Sequence, residues 1–192
     1  MKVMAFVGSP RKGGNTDILL DSFLEGAQSK GAETEKVYLY ETEINLCQGC
    51  YKECFLEEGV CTRWDDEMNR VLERLIKSDL YIFGSPVYSG NFTSKMAAFF
   101  ERLLPVAVYD VKERKPVKIL VEGKKAVVAI VHGEEESFYA DIPIKAMEGI
   151  IKQFGMEVVG KLYCNNVLDE GDIKKRKDVL KEAFDLGAKL CS

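Results

Sequence analysis

Three short runs of the chain are almost wholly apolar: Lys2–Val7 (KVMAFV), Leu80–Phe83 (LYIF) and Lys125–Val131 (KAVVAIV). They are too short for helices and show no polar alternation, the pattern of strands buried on both faces. Elsewhere the period lengthens. Thr16–Lys30 puts Leu19, Leu20, Phe23, Leu24 and Ala27 on one helical face and is followed by Gly31, which suits a C-cap. Asp65 and Asp66 head a helix to about Lys77, with Met68, Val71, Leu72, Leu75 and Ile76 inward. Lys95–Leu104 turns Met96, Phe99, Phe100 and Leu103 inward and stops at Pro105. Asp141–Phe154 and Ile173–Leu190 read as helices, and Glu33–Tyr40 and Glu157–Tyr163 as two more strands. Glu41–Trp64 has no sustained period, and Val106–Gly123 fits no element.

Strand and helix thus alternate five times, with no internal repeat and no linker, so residues 1–192 are expected to form one domain. The alternation predicts an α/β fold with a parallel sheet covered by helices on both faces. Right-handed crossovers make it doubly wound. Five strands suit the flavodoxin-like order 2-1-3-4-5, with a cysteine-rich loop at 41–64 inserted after the second strand. In that order a ligand lies outside the carboxyl ends of strands 1 and 3, where the winding reverses. Those ends are Gly8–Thr16 and Gly84–Asn91.

The first of these loops, GSPRKGGNT, opens a helix. Unpaired N–H groups and the positive end of the helix dipole attract a phosphate there. Ser9, Arg11, Gly14, Asn15 and Thr16 are the candidate contacts, Asn15 and Thr16 through side-chain donors and Arg11 as a forked cation. A P-loop is excluded, because Gly14 and Asn15 stand where Lys and Ser/Thr are needed. The dinucleotide fingerprint fails at Pro10. A loop for one terminal phosphate remains, as in FMN; a capped turn without a ligand is the plainer alternative. The second loop offers Pro86, Val87, Tyr88, Ser89 and Asn91 to a flat heteroaromatic ring. The third, His132-Gly133, would border the ring's far side. No Ser/His/Asp triad or carboxylate pair lies in these loops, so the chemistry belongs to the cofactor.

The net charge of −4 argues against a nucleic-acid partner. The run Lys174-Lys175-Arg176-Lys177 reads as a solvated helix face. No apolar stretch reaches about 20 residues, and no signal-peptide layout opens the chain, so a cytoplasmic location is expected. Of six cysteines, Cys47, Cys50, Cys54 and Cys61 are bunched, which points to metal or redox chemistry. Soft thiolates favour iron–sulfur or zinc, although zinc sites usually space two close pairs widely. Free thiols or a disulfide stay open as well. Cys164 and Cys191 read as packing residues.

GSPRKGGNT, CQGCYKEC, DDEM and GSPVYSGNFTSKMAAFFER together resemble the NADPH-dependent FMN reductase superfamily, and within it the iron–sulfur flavoprotein branch. The motifs span about Met1–Arg102. The resemblance implies FMN in the two loops, a homodimer or homotetramer, and a 4Fe-4S cluster on Cys47, Cys50, Cys54 and Cys61. The spacing here, C-x2-C-x3-C-x6-C, departs from the branch's usual C-x2-C-x2-C, so Cys54 and Cys61 come late. The expected protein is an FMN-dependent oxidoreductase passing electrons between FMN and the cluster, with a small-molecule or ferredoxin-type partner. The alternatives are an NAD(P)H-dependent FMN or quinone reductase without a cluster, with NAD(P)H as substrate, and a non-enzymatic electron carrier. Strand 2 lies at the sheet edge, so its cysteine loop is expected to face the flavin of a neighbouring subunit.

Overall fold

A computed structural model describes residues 1–110, 112–113 and 115–192. Its strands are β1 (Lys2–Val7), β2 (Glu33–Tyr38), β3 (Leu80–Pro86), β4 (Ala107–Asp110), β5 (Lys115–Ile119), β6 (Lys125–Val131) and β7 (Glu157–Cys164). Its α-helices are α1 (Asn15–Gln28), α2 (Glu67–Ile76), α3 (Ser94–Glu101), α4 (Asp141–Gln153) and α5 (Lys177–Leu190). The main sheet runs β2-β1-β3-β6-β7, all parallel. Setting aside the antiparallel hairpin β4–β5, this is the order 2-1-3-4-5, a flavodoxin-like α/β fold.

The period-two geometry of the strands sorts their side chains between two cores. Met4 and Phe6 of β1, with Tyr81 and Phe83 of β3, pack under α2, α3 and α4. Val3, Ala5 and Val7, with Leu80 and Ile82, pack under α1 and α5. That is why β1, β3 and β6 carry almost no polar residue. On the second face α1 and α5 cross at backbone contact. A Cβ added to Gly26 would stand 2.0 Å from the Phe184 carbonyl oxygen, and one added to Gly187 would stand 2.0 Å from that of Phe23.

The structure corrects several expected boundaries. Ala107–Asp110 and Lys115–Ile119, within the unassigned stretch, pair as the antiparallel strands β4 and β5 outside the main sheet. α3 ends at Glu101, before Pro105, which lies in a 3-10 turn over Leu104–Val106. The closing helix begins only at Lys177. Asp172–Lys175 is a separate 3-10 turn, and Arg176, with ψ 68°, leaves helical geometry between them. Among the described residues no helix is long and apolar enough to cross a membrane.

Candidate functional site

The loops after β1 and β3 are tied together before any ligand is considered. The Gly8 N–H donates to the Gly84 carbonyl at 2.7 Å, continuing the β1–β3 pairing into the loop. Thr93, the N-cap of α3, donates its hydroxyl to the Gly8 carbonyl at 2.6 Å and accepts from Met96 N–H at 3.4 Å. Its own N–H donates to Ser85 Oγ at 3.0 Å. One buried threonine therefore fixes both loops and starts a helix. Gly8 has little room for a side chain: an added Cβ would lie 3.0 Å from the Gly84 oxygen and 3.2 Å from the Thr93 hydroxyl.

The turn leading into α1 is shaped by Asp17, whose carboxylate is buried (3% exposed). It accepts from the Gly13 N–H at 2.8 Å, from Lys36 at 2.6 Å and more weakly from the Tyr38 hydroxyl at 3.2 Å. Gly13 has φ +70°, which favours glycine there. The Ser9 hydroxyl accepts from the Arg11 N–H at 3.1 Å. Among the described residues Arg11 makes no ion pair, and it stands exposed at the mouth of the turn.

These elements border a cleft of about 140 Å³ lined by Ser9, Arg11, Asn15, Thr16, Pro86, Val87, Tyr88, Val131, His132, Gly133, Val167 and Leu168. Three expected contacts lie off its wall. Gly14 is buried beneath the turn, its N–H given to the Arg11 carbonyl at 3.3 Å. Ser89 and Asn91 belong to a tight turn in which Tyr88 and Asn91 exchange both backbone hydrogen bonds. Ser89 and Gly90 have φ of 50° and 77°, the two positive values of a type I′ turn. The Asn91 side-chain oxygen accepts from the Phe92 N–H at 2.8 Å.

Asn15 lines the cleft, but its side chain is not the free phosphate donor expected. Its amide hydrogens go to the Val167 carbonyl at 3.2 Å and the Asp169 carbonyl at 2.9 Å, and its oxygen accepts from the Ile173 N–H at 3.2 Å. The side chain holds the loop after β7 in place as the cleft's fourth wall. The sequence carries no periodic signal for that wall.

His132 is buried (6% exposed). Its Nε2 lies 2.9 Å from the Tyr163 hydroxyl, while its Nδ1 is buried without a partner. Burial lowers its pKa, with the charge of Glu134 and a hydrogen bond to its backbone opposing. Tyr163 escaped the sequence reading because it sits on a strand, distant in sequence from the loop it supports.

The four bunched cysteines line a second hollow with Gln48, Arg63, Trp64, Glu101, Arg102 and Pro105. It shares no lining residue with the cleft. All four thiols are free. Burial, then the neighbouring thiols Cys50 and Cys61, push the Cys54 thiol up to about 12. The open space is only about 10 Å³, room for one water. Among the described residues no three His, Cys, Asp or Glu side chains are set to hold a single metal ion. The side chains as placed thus do not themselves show the cluster that the resemblance implies on Cys47, Cys50, Cys54 and Cys61. The donor chemistry nevertheless suits a thiolate-bound group: four thiols share one hollow, with the guanidinium of Arg102 in its wall.

A doubly wound parallel sheet with a phosphate-suited turn and an aromatic-rimmed cleft at its switch point defines a nucleotide-binding flavodoxin-like protein. The sequence profile described as NADPH-dependent FMN reductase matches residues 1–142, and the chain belongs to that family. An iron-sulfur flavoprotein of Archaeoglobus fulgidus is 34% identical over 194 residues, covering 99% of this chain and 79% of that protein. The FMN-dependent NADH-azoreductase of Bacillus anthracis, solved in complex with FMN, superposes with a TM-score of 0.74 at 15% identity, covering 100% of both chains. The NAD(P)H:quinone oxidoreductase of Methanothermobacter marburgensis gives 0.73 at 23% identity, covering 99% of this chain and 96% of that one. At these identities the two structures speak for the fold.

Proposed function

We propose that this chain is an FMN-dependent oxidoreductase that exchanges electrons between FMN in the cleft and a 4Fe-4S cluster held by Cys47, Cys50, Cys54 and Cys61. The observation that carries the flavin reading is the Thr93 knot, which fixes the two loops so that a helix N-terminus, Arg11 and Pro86–Tyr88 border one cleft. The names of the relatives favour the cluster reading, and so does the sharing of one hollow by the four thiols.

In this reading the first N–H groups of α1, the Ser9 hydroxyl and Arg11 hold the phosphate. At about 140 Å³ the cleft is smaller than the roughly 300–1,000 Å³ of full ligand sites, so it takes the phosphate end and leaves the ring at the rim. There Pro86, Val87 and the half-exposed Tyr88 cover one side and Gly133 borders the other. Ser89 and Asn91 keep Tyr88 in place through their turn. His132 offers Nδ1 as a polar contact, its other nitrogen being engaged by Tyr163. Bound FMN supplies the conversion between two-electron and one-electron transfer. The cysteines would give the cluster its four thiolates, and their hollow has to widen to admit it.

NAD(P)H, or a small-molecule or ferredoxin-type carrier, is proposed as the exchange partner, and a homodimer or homotetramer as the working form. Phe138 (59% exposed), Ile142 (63%) and Leu168 (74%) leave an apolar margin beside the cleft, which supports the oligomer.

The test is anaerobic purification with flavin, iron and inorganic sulfide quantified. Equimolar FMN with iron and sulfide in equal amount is expected. Colourless protein that takes up no FMN overturns the proposal; FMN without iron leaves the flavin reading standing and removes the cluster.

A further inference from the structure

Both ends of the cysteine segment are fastened to one turn of α2. At its root, Asp66 accepts from the Asn45 N–H at 2.9 Å, two residues before Cys47. At its end, Asn69 accepts from the Cys61 N–H at 2.9 Å and donates to the Cys61 and Trp64 carbonyls at 3.2 and 2.9 Å. Asp66 also holds Arg102 in a buried bidentate pair, Nη1–Oδ2 at 2.8 Å and Nη2–Oδ1 at 2.9 Å, with side-chain exposures of 2% and 0%. Nη1 donates again to the Asn45 carbonyl at 2.7 Å.

The fork of Arg102 is thus spent on structure, but its Nε–H is not. That atom is buried without a partner. Arg102 lines the cysteine hollow, and the Cys61 thiol lies beside its guanidinium. A buried donor lacking an acceptor is destabilising. The acceptor recorded beside the guanidinium is the Cys61 sulfur, and a sulfur accepts strongly only when anionic.

We infer that Arg102 is a positioning residue of the cysteine site: its Nε–H is reserved for an anionic sulfur there, a Cys61 thiolate or a sulfide of the bound group. This rests on the proposal that the four cysteines hold a thiolate-ligated metal group. Asp66 occupies the Nη edge, so the guanidinium acts in the hollow as a directed donor more than as a bare charge. Hydrogen bonds to the sulfurs favour the more reduced, more negative state of an iron–sulfur group.

Two measurements test this. In wild type, the Arg102 Nε–H resonance is followed while metal-free, reduced protein is loaded with Zn²⁺ alone. It should shift and exchange more slowly with solvent; a resonance that stays put while zinc binds overturns the inference. In iron-loaded protein, Arg102→Lys and the neutral pair Asp66→Asn with Arg102→Gln should each disfavour the reduced form about tenfold, a fall in midpoint potential of about 59 mV for a one-electron couple. Retention of the wild-type potential in either folded variant overturns it. Wild-type protein that takes up neither iron nor zinc overturns both this inference and the cluster; zinc uptake with an unmoved resonance overturns this inference alone.

Discussion

The cleft beside β1 and β3 and the cysteine hollow both lie on loops leaving the sheet, yet they are held in different ways. The cleft is fixed at its centre. Gly8, Gly84, Ser85 and Thr93 bond to one another across 85 positions of sequence, and Asp17 pins the turn between them. The cysteine segment is fastened chiefly at its ends, by Asp66 and Asn69, with further ties between them from the Gly59 N–H to the Pro105 carbonyl at 3.0 Å, the Thr62 hydroxyl to the Glu53 carbonyl at 2.9 Å and the stacking of Phe55 on Tyr109. Its middle is a short 3-10 turn, Tyr51–Phe55, with Tyr51 at φ 45° and only Cys54 fully buried. A preformed cleft suits a ligand of fixed shape, because little ordering cost remains at binding. A segment without regular helix or strand pairing between its anchors can part its thiols around a group larger than the space they now enclose.

The contrast can be broken most forcefully at the anchor. Asp66→Ala leaves Arg102 buried and unpaired, removes the α2 cap and frees Asn45. It should cost about 3–5 kcal/mol in urea unfolding of cofactor-free protein. Asp66 also sets an acid limit. Burial pushes its carboxyl up, but hydrogen bonds from Arg102 and Asn45 outweigh this and hold it below the usual range. A depressed carboxyl contributes fully above its unfolded pKa, about 3.9, and loses that contribution as pH falls through the folded value. The acid loss of stability below about pH 4 should therefore be shallower in Asp66→Asn, followed by circular dichroism.

Next in size is the cleft floor. A Cβ on Gly84 would stand 2.4 Å from Leu20 Cδ1. Gly84→Ala should cost about 1–3 kcal/mol by overpacking and weaken FMN binding, with thiol accessibility unchanged. Arg11→Ala should leave stability within about 0.5 kcal/mol. It should weaken FMN about tenfold or more, in keeping with the roughly 1.5–3 kcal/mol of a charge-assisted bond. Riboflavin, which lacks the phosphate, should bind both proteins equally in fluorescence titrations. The smallest effect on folding is expected for Cys47→Ser at a half-buried thiol, within about 0.5 kcal/mol, while iron uptake falls sharply.

The sheet order and the two loops that border the cleft were legible because β1, β3 and β6 are apolar on both faces and end in glycine-containing turns. The supports were not. Thr93 could be read as a cap, but nothing local says that its hydroxyl reaches Gly8. Asp17 reads as an ordinary first-turn acid, although it closes the turn over Gly13. Asp66 was legible as a helix start, yet its pairing with Arg102 depends on how α2 and α3 pack. The β4–β5 hairpin escaped because β5 is nearly all exposed and has no buried face to impose a period.

The helix that opens at Asn15 is fastened to residues 152 and 154 positions further on. Chains emerge amino end first. The turn that would grip a phosphate therefore leaves the ribosome well before the residues that finish it. Until the stretch through Ile173 has emerged, the Asn15 amide lacks its full set of partners. A chain cut at 166 should keep the strand and the glycines of that turn and still fail to retain a flavin.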